Sequence, residues 1–148
     1  LLGFSDGGNL ALTFALAHPE RVQSLILNGA NLEPGGVKLS TQLPIVLGYS
    51  CCRLLSPFSR KARQNGAVLG LMVNHPHIPP QALAALTMPA LVIVGERDMI
   101  RDRHSQLIAR SLPNAQFVRI PGGDHFCAAK CPEAFNRAVL SFLLNLPA

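Results

Sequence analysis

The apolar positions of this chain alternate between short continuous runs and longer stretches of helical character. Short runs bounded by turn residues are typical of strands buried on both faces of a parallel sheet. Such strands are predicted at 22–30, 90–95 and 115–120, and the opening Leu1-Leu2-Gly3 resembles the end of another. Helices are predicted at 7–18, 104–112 and 132–146. This alternation predicts an α/β fold, a parallel sheet flanked by helices.

The first predicted helix is apolar almost all round, which is typical of a helix buried on every side. Pro19 ends it, because proline disfavours helical geometry at the residue before it. The last helix is amphipathic and carries Pro132 in its first turn, a common position for proline.

The pattern changes between residues 31 and 87. Pro34-Gly35-Gly36 opens this stretch, several short helical pieces follow, and prolines punctuate its end. We predict a helical cap at 31–87 inserted into a core formed by 1–30 and 88–148. Much of its apolar content would pack on the core, and its inner face would line an apolar pocket.

Composition narrows the function classes. The 148 residues suffice for one domain with its own core, and 49% of them are hydrophobic against 14% charged. No apolar run reaches the roughly 18 residues of a membrane-spanning helix. The net charge of +5 comes without the aromatic residues that stack on nucleic-acid bases, since aromatics are only 5%. We therefore expect neither a membrane nor a nucleic acid as partner.

The four cysteines have no spacing typical of a disulfide framework or a metal site. Reduced thiols, and with them a cytoplasmic location, are the expectation. No signal-peptide pattern is present. The chain begins with Leu1 at the apparent end of a strand, so we expect a fragment whose parent continues upstream.

A candidate nucleophile stands at the start of the chain. Gly3-Phe4-Ser5-Asp6-Gly7 matches G-x-S-x-G between a strand remnant and a helix, the setting of a nucleophile elbow. The flanking glycines would let the strand and the helix approach closely around a strained serine. The pattern alone is weak, and its setting makes Ser5 the predicted nucleophile.

A nucleophilic serine needs a base and an acid that orients the base. Asp98 follows the predicted strand 90–95, and His125 follows the predicted strand 115–120. Catalytic groups of open parallel sheets gather at the carboxyl ends of the strands. Ser5, Asp98 and His125 are therefore predicted to meet at one edge of one sheet.

Four segments together resemble the α/β-hydrolase superfamily, most closely its small bacterial-type members with a G-F/W-S-D-G-G elbow. They are GFSDGG at 3–8, LILNGA at 25–30, LVIVGERD at 91–98 and GGDH at 122–125. The resemblance covers essentially the whole chain. It implies Ser5 as nucleophile, Asp98 as acid, His125 as base and the backbone N–H of Asp6 as one oxyanion-hole donor. The family's first strands, with the loop that gives the second donor, have no counterpart in this sequence.

Other polar residues compete for these roles. Asp102 is the nearest rival as acid, but its place favours the start of the following helix. Asp124 would fix its loop, His18 would cap a helix end, and His104 would lie on the surface. A metal pair of His75 and His77 lacks a third ligand.

The carboxylate of Asp6 allows two interpretations. A local hydrogen bond to loop backbone is the simpler one. Alternatively, the charge beside Ser5 would favour substrates with a cationic group near the scissile bond.

The predicted function is a serine hydrolase that cleaves a small carboxylic ester or related acyl substrate through an acyl-enzyme. A C–C bond hydrolase or thioesterase of the same fold, or a catalytically inert fragment, are the alternatives. Nothing in the sequence requires a metal or an organic cofactor, and the oligomeric state stays open. The tentative substrate-binding residues are Phe4, Met72, Met99 and Ile100.

Overall fold

A computed structural model describes residues 1–146 of this chain. Its centre is a four-stranded sheet in which every neighbouring pair is parallel. The strands, in spatial as in sequence order, are β1 (Leu2–Phe4), β2 (Leu25–Asn28), β3 (Ala90–Gly95) and β4 (Ala115–Ile120). The predicted fold class is confirmed, and β3 and β4 have the predicted bounds. β2 is shorter than predicted, because its predicted ends lie outside the ladder.

Six α-helices and three short 3-10 turns connect and cover the strands. The helices are α1 (Asp6–Ala17), α2 (Leu39–Leu55), α3 (Arg60–Asn74), α4 (Asp102–Ser111), α5 (Cys127–Lys130) and α6 (Pro132–Leu144). The 3-10 turns are Pro19–Arg21, Pro34–Gly36 and Pro80–Ala85.

The sheet is buried on both faces, which explains the unbroken apolar run of β3. On one face Leu27 and Val92 pack with residues of α1 and α4 such as Leu12 and Ile108. On the other face the core continues into α5 and α6. All six residues of β3 are buried. Burying apolar surface on both faces is the main stabilising contribution to such a sheet.

The helix α1 corrects one prediction, since it is buried on one side only. Leu12 and Ala15 face the sheet with no exposed surface, while Leu10 is 70% and Phe14 41% exposed. The sequence pattern marks both sides as apolar, and the sheet covers just one of them. Leu10 instead borders an open cavity that it shares with Leu71 and Ile78.

The helices α2 and α3 form an antiparallel pair and fill most of the stretch predicted as a cap. Small residues let them approach: a Cβ on Gly66 would lie 3.3 Å from Cys52, and one on Gly70 would lie 3.1 Å from Tyr49. No residue of α2 is buried, and α3 buries only Ala62. The role of this pair as a cap stays a prediction.

Across residues 1–146, no helix combines the length and the apolar character needed to cross a bilayer.

Candidate active site

Three side chains predicted to act together meet at the carboxyl edge of the sheet. Ser5 Oγ lies 3.0 Å from His125 Nε2, and His125 Nδ1 lies 2.8 Å from Asp98 Oδ1. The three residues follow β1, β4 and β3, so strands far apart in sequence deliver them to one place. The result is a continuous hydrogen-bonded chain from a hydroxyl through an imidazole to a carboxylate.

The backbone at Ser5 has the geometry of a sharp strand-to-helix turn. Ser5 has φ 52° and ψ −122°, and within residues 1–146 it is the one non-glycine residue with positive φ. The close approach of β1 and α1 requires glycine at position 3, since a Cβ there would lie 2.3 Å from the Gly7 carbonyl oxygen, whereas a Cβ on Gly7 would meet nothing within 4 Å. Glycine is also required at position 8, where a Cβ would lie 2.9 Å from the side chain of Ala30 in the loop after β2. Such backbone strain persists only where its surroundings enforce it.

Asp98 and His125 are held by burial and by backbone donors. Their exposed fractions are 3% and 5%. Asp98 Oδ1 accepts the Ile100 N–H at 2.9 Å, and Oδ2 accepts the Gly95 N–H at 3.4 Å. A carboxylate fixed by two backbone N–H groups presents one oxygen to Nδ1 of the imidazole. This arrangement favours the tautomer whose Nε2 accepts a proton from Ser5.

Sequence reasoning missed Gly29, which forms the floor beneath the imidazole. Gly29 has φ 63°, and a Cβ there would lie 2.8 Å from Cε1 and 2.9 Å from Nδ1 of His125. Any other side chain would therefore displace the ring as well as strain the backbone. The available signal was the Asn28-Gly29 pair directly after β2, which we interpreted only as a turn.

Asp6 begins α1, where backbone N–H groups have no acceptor within the helix. Its carboxylate accepts the side-chain amide of Asn9 at 3.2 Å, so the expected bond to loop backbone is replaced by one to a side chain. Asn9 in turn exchanges two hydrogen bonds with Asn31, at 3.0 and 2.9 Å. This buried amide pair ties α1 to the loop after β2.

A narrow crevice beside Ser5 brings together three of the four residues predicted to bind substrate. Met72, Met99 and Ile100 border it, along with Asp6 and His75. Asp6 and His75 also border the open cavity next to α1, whose volume is about 660 Å³. Phe4 lies elsewhere: its ring packs against His125 at a centroid distance of 4.9 Å and against Phe126 at 5.7 Å.

The competing acids have other partners. Asp102 is the first residue of α4, and its carboxylate pairs with Arg119 at 2.5 Å. Asp124 accepts the Phe126 N–H and pairs with Lys130, and these bonds lower the pKa of its carboxyl group. Asp98 is accordingly the carboxylate that reaches His125.

Of the remaining histidines, His18 has the predicted position at the end of a helix, and His75 and His77 lie near each other. His18 ends α1 as its C-cap, with its N–H bonded to the Phe14 carbonyl at 2.8 Å. The rings of His75 and His77 lie 6.1 Å apart. No group of three metal-ligating side chains occurs anywhere in residues 1–146.

His104 contradicts the expectation of a surface position. It is 6% exposed, and Nε2 accepts the Leu32 N–H at 2.9 Å. The helix α4 begins two residues earlier than predicted, and His104 in its first turn packs against Gly36 of the loop after β2. Burial lowers the pKa of this imidazole.

The four cysteines are free thiols. Cys127 is fully buried and lies 3.6 Å from Asn28 Oδ1. Burial and the nearby Asp98 raise the pKa of its thiol to about 11. Although it lies near His125 in sequence, Cys127 is therefore a packing residue without nucleophilic character at neutral pH.

No protein-family model matches this chain. It is 28% identical to the putative carbamate hydrolase RutD of Caulobacter sp. over 97% of its length. It is 29% identical, over 98% of its length, to the 2-hydroxy-6-oxononadienedioate/2-hydroxy-6-oxononatrienedioate hydrolase of Cupriavidus pinatubonensis. The chain spans 64% and 62% of these two relatives.

The fold has solved counterparts. A thermophilic esterase from Thermogutta terrifontis superposes on the whole chain with a TM-score of 0.74 at 22% identity, and the match covers 65% of the esterase. At this identity the likeness establishes the fold alone.

Proposed function

We propose that this chain, which has the fold of the α/β-hydrolases and resembles them over nearly its whole length, is a member of that superfamily and carries the catalytic residues of a serine hydrolase. One observation carries the proposal: the hydrogen-bonded chain from Ser5 through His125 to Asp98 at the carboxyl edge of the sheet. Nucleophile, base and orienting acid are the minimum set for covalent acyl transfer by a serine.

In the proposed reaction Ser5 Oγ attacks a substrate carbonyl while His125 Nε2 takes its proton. The tetrahedral intermediate collapses to an acyl-enzyme, and His125 returns the proton to the leaving group. Water, deprotonated by His125, then attacks the acyl carbon. His125 passes this proton to Ser5 Oγ as the acyl–oxygen bond breaks, which releases the acid and restores the serine hydroxyl. Asp98 holds the imidazole in the required tautomer and stabilises its charged form.

The backbone N–H of Asp6 is the proposed donor to the oxyanion. It stands at the N-terminus of a twelve-residue helix, where the partial positive charge favours developing negative charge. In a well-studied serine protease, one such donor is worth roughly 10²–10³ in turnover. The position of Ser5 directly before the helix supports this assignment, because a carbonyl attacked by Ser5 would lie next to the helix N-terminus.

For the substrate we propose a small carboxylic ester or related acyl compound. The crevice beside Ser5, with Met72, Met99 and Ile100 in its lining, holds only about 10 Å³. Space for an apolar acyl or leaving group is supplied by the open cavity of about 660 Å³ next to it, which shares Asp6 and His75 with the crevice and is lined by Leu10, Leu71 and Ile78. The exposed carboxylate of Asp6 at its rim supports a preference for a cationic group near the scissile bond. Location in the cytoplasm is part of the proposal and rests on the free thiols.

A second candidate is the hydrolysis of a C–C bond, favoured by the likeness to the Cupriavidus hydrolase over nearly the whole chain. The same three residues would serve, so a panel of esters, thioesters and 2-hydroxy-6-oxo-dienoates separates the candidates by their rates. A third outcome is an inert chain. It is favoured by the edge position of β1, whose Leu2 is 56% exposed.

The first test is labelling of the purified chain by a fluorophosphonate, which reacts with activated serines. We expect labelling of the wild type, complete loss in Ser5→Ala and full retention in Ser50→Ala, a control on the exposed face of α2. Circular dichroism checks that each variant is folded. Equal labelling of the wild type and Ser5→Ala would refute Ser5 as nucleophile. If the wild type is folded but is not labelled, the remaining interpretation is that this chain is catalytically inert.

A further inference from the structure

Residues 29–38, here called the β2 loop, support the candidate site from below. Gly29 at its start lies under the imidazole of His125, and Asn31 bonds to Asn9 of α1. The next element, α2, begins directly after it. A displacement of the β2 loop would therefore reach both His125 and the helix that begins behind Ser5.

The β2 loop is fastened to residues 99–104, the stretch between Asp98 and the first turn of α4. The Arg101 N–H donates to the Gly36 carbonyl at 2.8 Å, and the Arg101 side chain donates to the Val37 carbonyl at 3.1 Å. The Lys38 N–H donates to the Met99 carbonyl at 2.8 Å. None of these acceptors or donors changes its charge between pH 5 and 8.

A further hydrogen bond between these two segments joins Leu32 and His104, and it differs from the others because its acceptor is an imidazole nitrogen that can bind a proton. His104 Nε2 accepts the N–H of Leu32, and both residues are buried. Nε2 accepts a hydrogen bond only while the ring is neutral and its proton is on Nδ1. Once protonated, Nε2 would carry a hydrogen facing the hydrogen of Leu32. The ring cannot move away toward the loop, since Gly36 lies against it: a Cβ there would be 2.6 Å from Nε2.

Burial is the largest cause of the lowered pKa of His104. Among the nearby charges, Glu33 of the β2 loop raises this pKa, whereas Arg101 and Arg103 at the start of α4 lower it. Arg110 lies along the same surface cleft. His104 is thus a neutral imidazole at neutral pH.

We propose that His104 is a positioning residue for His125. In its neutral form it locks the β2 loop to α4 and so keeps Gly29 in place beneath the catalytic imidazole, and its protonation releases the loop. The catalytic consequence rests on the proposed function of His125, whereas the lock itself does not. The proposal adds a second titratable histidine, outside the Ser5–His125–Asp98 chain, to the acid side of the pH profile.

The direction of the pH dependence follows from the lowered pKa of His104. A group that binds protons less readily in the folded state than in the unfolded one stabilises the fold fully above its unfolded pKa, near 6.5. That contribution is lost progressively as the pH falls below this value toward the folded pKa. Release of the loop is therefore expected on the acid side only.

The test is a pH titration by NMR of the isotopically labelled wild type, His104→Gln and His18→Gln. The glutamine oxygen can accept the Leu32 N–H but does not titrate, and His18 is an exposed control. In the wild type we expect protection of the Leu32 amide against hydrogen exchange to fall about tenfold as the His104 ring protonates, the loss of one hydrogen bond. The ring signals of His125 should show a second step at the same pH. Both changes should persist in His18→Gln and vanish in His104→Gln.

The wild type alone decides the question if His104→Gln does not fold, because its own ring signal reports when His104 protonates. The proposal would be overturned if the hydrogen-exchange protection of the Leu32 amide did not change when His104 protonates. It would also be overturned if the ring signals of His125 showed no second step. Fluorophosphonate labelling over the same pH range separates the two hypotheses. Absence of labelling with an intact Leu32 step would refute the proposed function and keep the lock. A labelling rate with equal acid slopes in the wild type and His104→Gln would refute the positioning role.

Discussion

The carboxyl edge of the sheet and the α2–α3 pair are built on opposite principles. At the sheet edge, Asp98 and His125 are nearly inaccessible to solvent, and glycines leave no free space around them. In the helix pair, Ala62 is the one buried residue of the two helices, and large apolar side chains such as Leu54 and Val68 are exposed at 76% and 62%.

The difference shows where this fold puts its rigidity. Close packing around the hydrogen-bonded chain would hold its three side chains within the narrow tolerance that the proposed catalysis needs. The helix pair contributes Gln42 of α2 and Met72 of α3 to the crevice beside Ser5. Segments with few buried apolar contacts open at low free energy. If the predicted role of the pair as a cap is right, a cover that opens at low free energy over a rigid base would admit and then enclose a substrate.

The comparison predicts a large contrast in the free energy of unfolding. Leu27→Ala in β2 removes a side chain with no exposed surface, and we expect it to cost about 2–5 kcal/mol. Leu54→Ala in α2 should change stability by about 0.5 kcal/mol or less, because that side chain already meets water. Urea unfolding followed by circular dichroism measures both. Similar losses in the two variants would show that the helix pair is as tightly integrated as the sheet.

A second contrast sets two glycines of the β2 loop against each other. Gly29→Ala should lower kcat roughly 10²-fold, because the new methyl group displaces His125 and a shift of about 1 Å suffices for such a loss. Gly35→Ala is the matched control: its Cβ would meet only the side chain of Glu33, at 3.4 Å. Initial rates on the best ester of the panel give both numbers. An unchanged kcat in Gly29→Ala would contradict the tight fit beneath the imidazole.

The smallest effect concerns thiols and needs no activity. Cys51 in α2 is exposed, whereas the Cys127 thiol is buried with its pKa raised to about 11. At pH 8 only about one Cys127 in a thousand would be a thiolate, so iodoacetamide should modify Cys51 first. Mass spectrometry of the peptides follows the order. Cys127 should react only after denaturant is added, and its prompt alkylation in the folded chain would reveal an opening at the sheet edge.

Much of the candidate site could be predicted from local sequence patterns. Ser5 could be predicted from the sequence because G-x-S-x-G between a strand and a helix is the pattern of a tight turn that carries a nucleophile. Asp98 and His125 could be predicted because each follows a strand, and the strands of a parallel sheet end at a common edge. The bounds of β3 and β4 followed from apolar runs between turn residues, since a strand buried on both faces leaves little choice of residue type.

The features that the sequence analysis predicted wrongly or overlooked depend on contacts between segments far apart in the chain. His104 was expected on the surface, yet it bonds to Leu32, 72 residues earlier in the chain. Gly29 looked like an ordinary turn residue, and its function depends on His125, which the fold brings over it from the far side of β3. The apolar face of α1 was expected to be covered, and Leu10 and Phe14 are exposed.

The sequence by itself determined the order of strands and helices, the parallel sheet and the three residues of the hydrogen-bonded chain. Periodicity and turn chemistry act over a few residues, and a parallel sheet translates them into one shared edge. Only the tertiary structure decided which side of α1 is buried, which glycine supports the imidazole and which histidine is locked inside. Those outcomes depend on close contacts between segments far apart in the chain, and the free energy of such contacts arises from packing that no local pattern encodes.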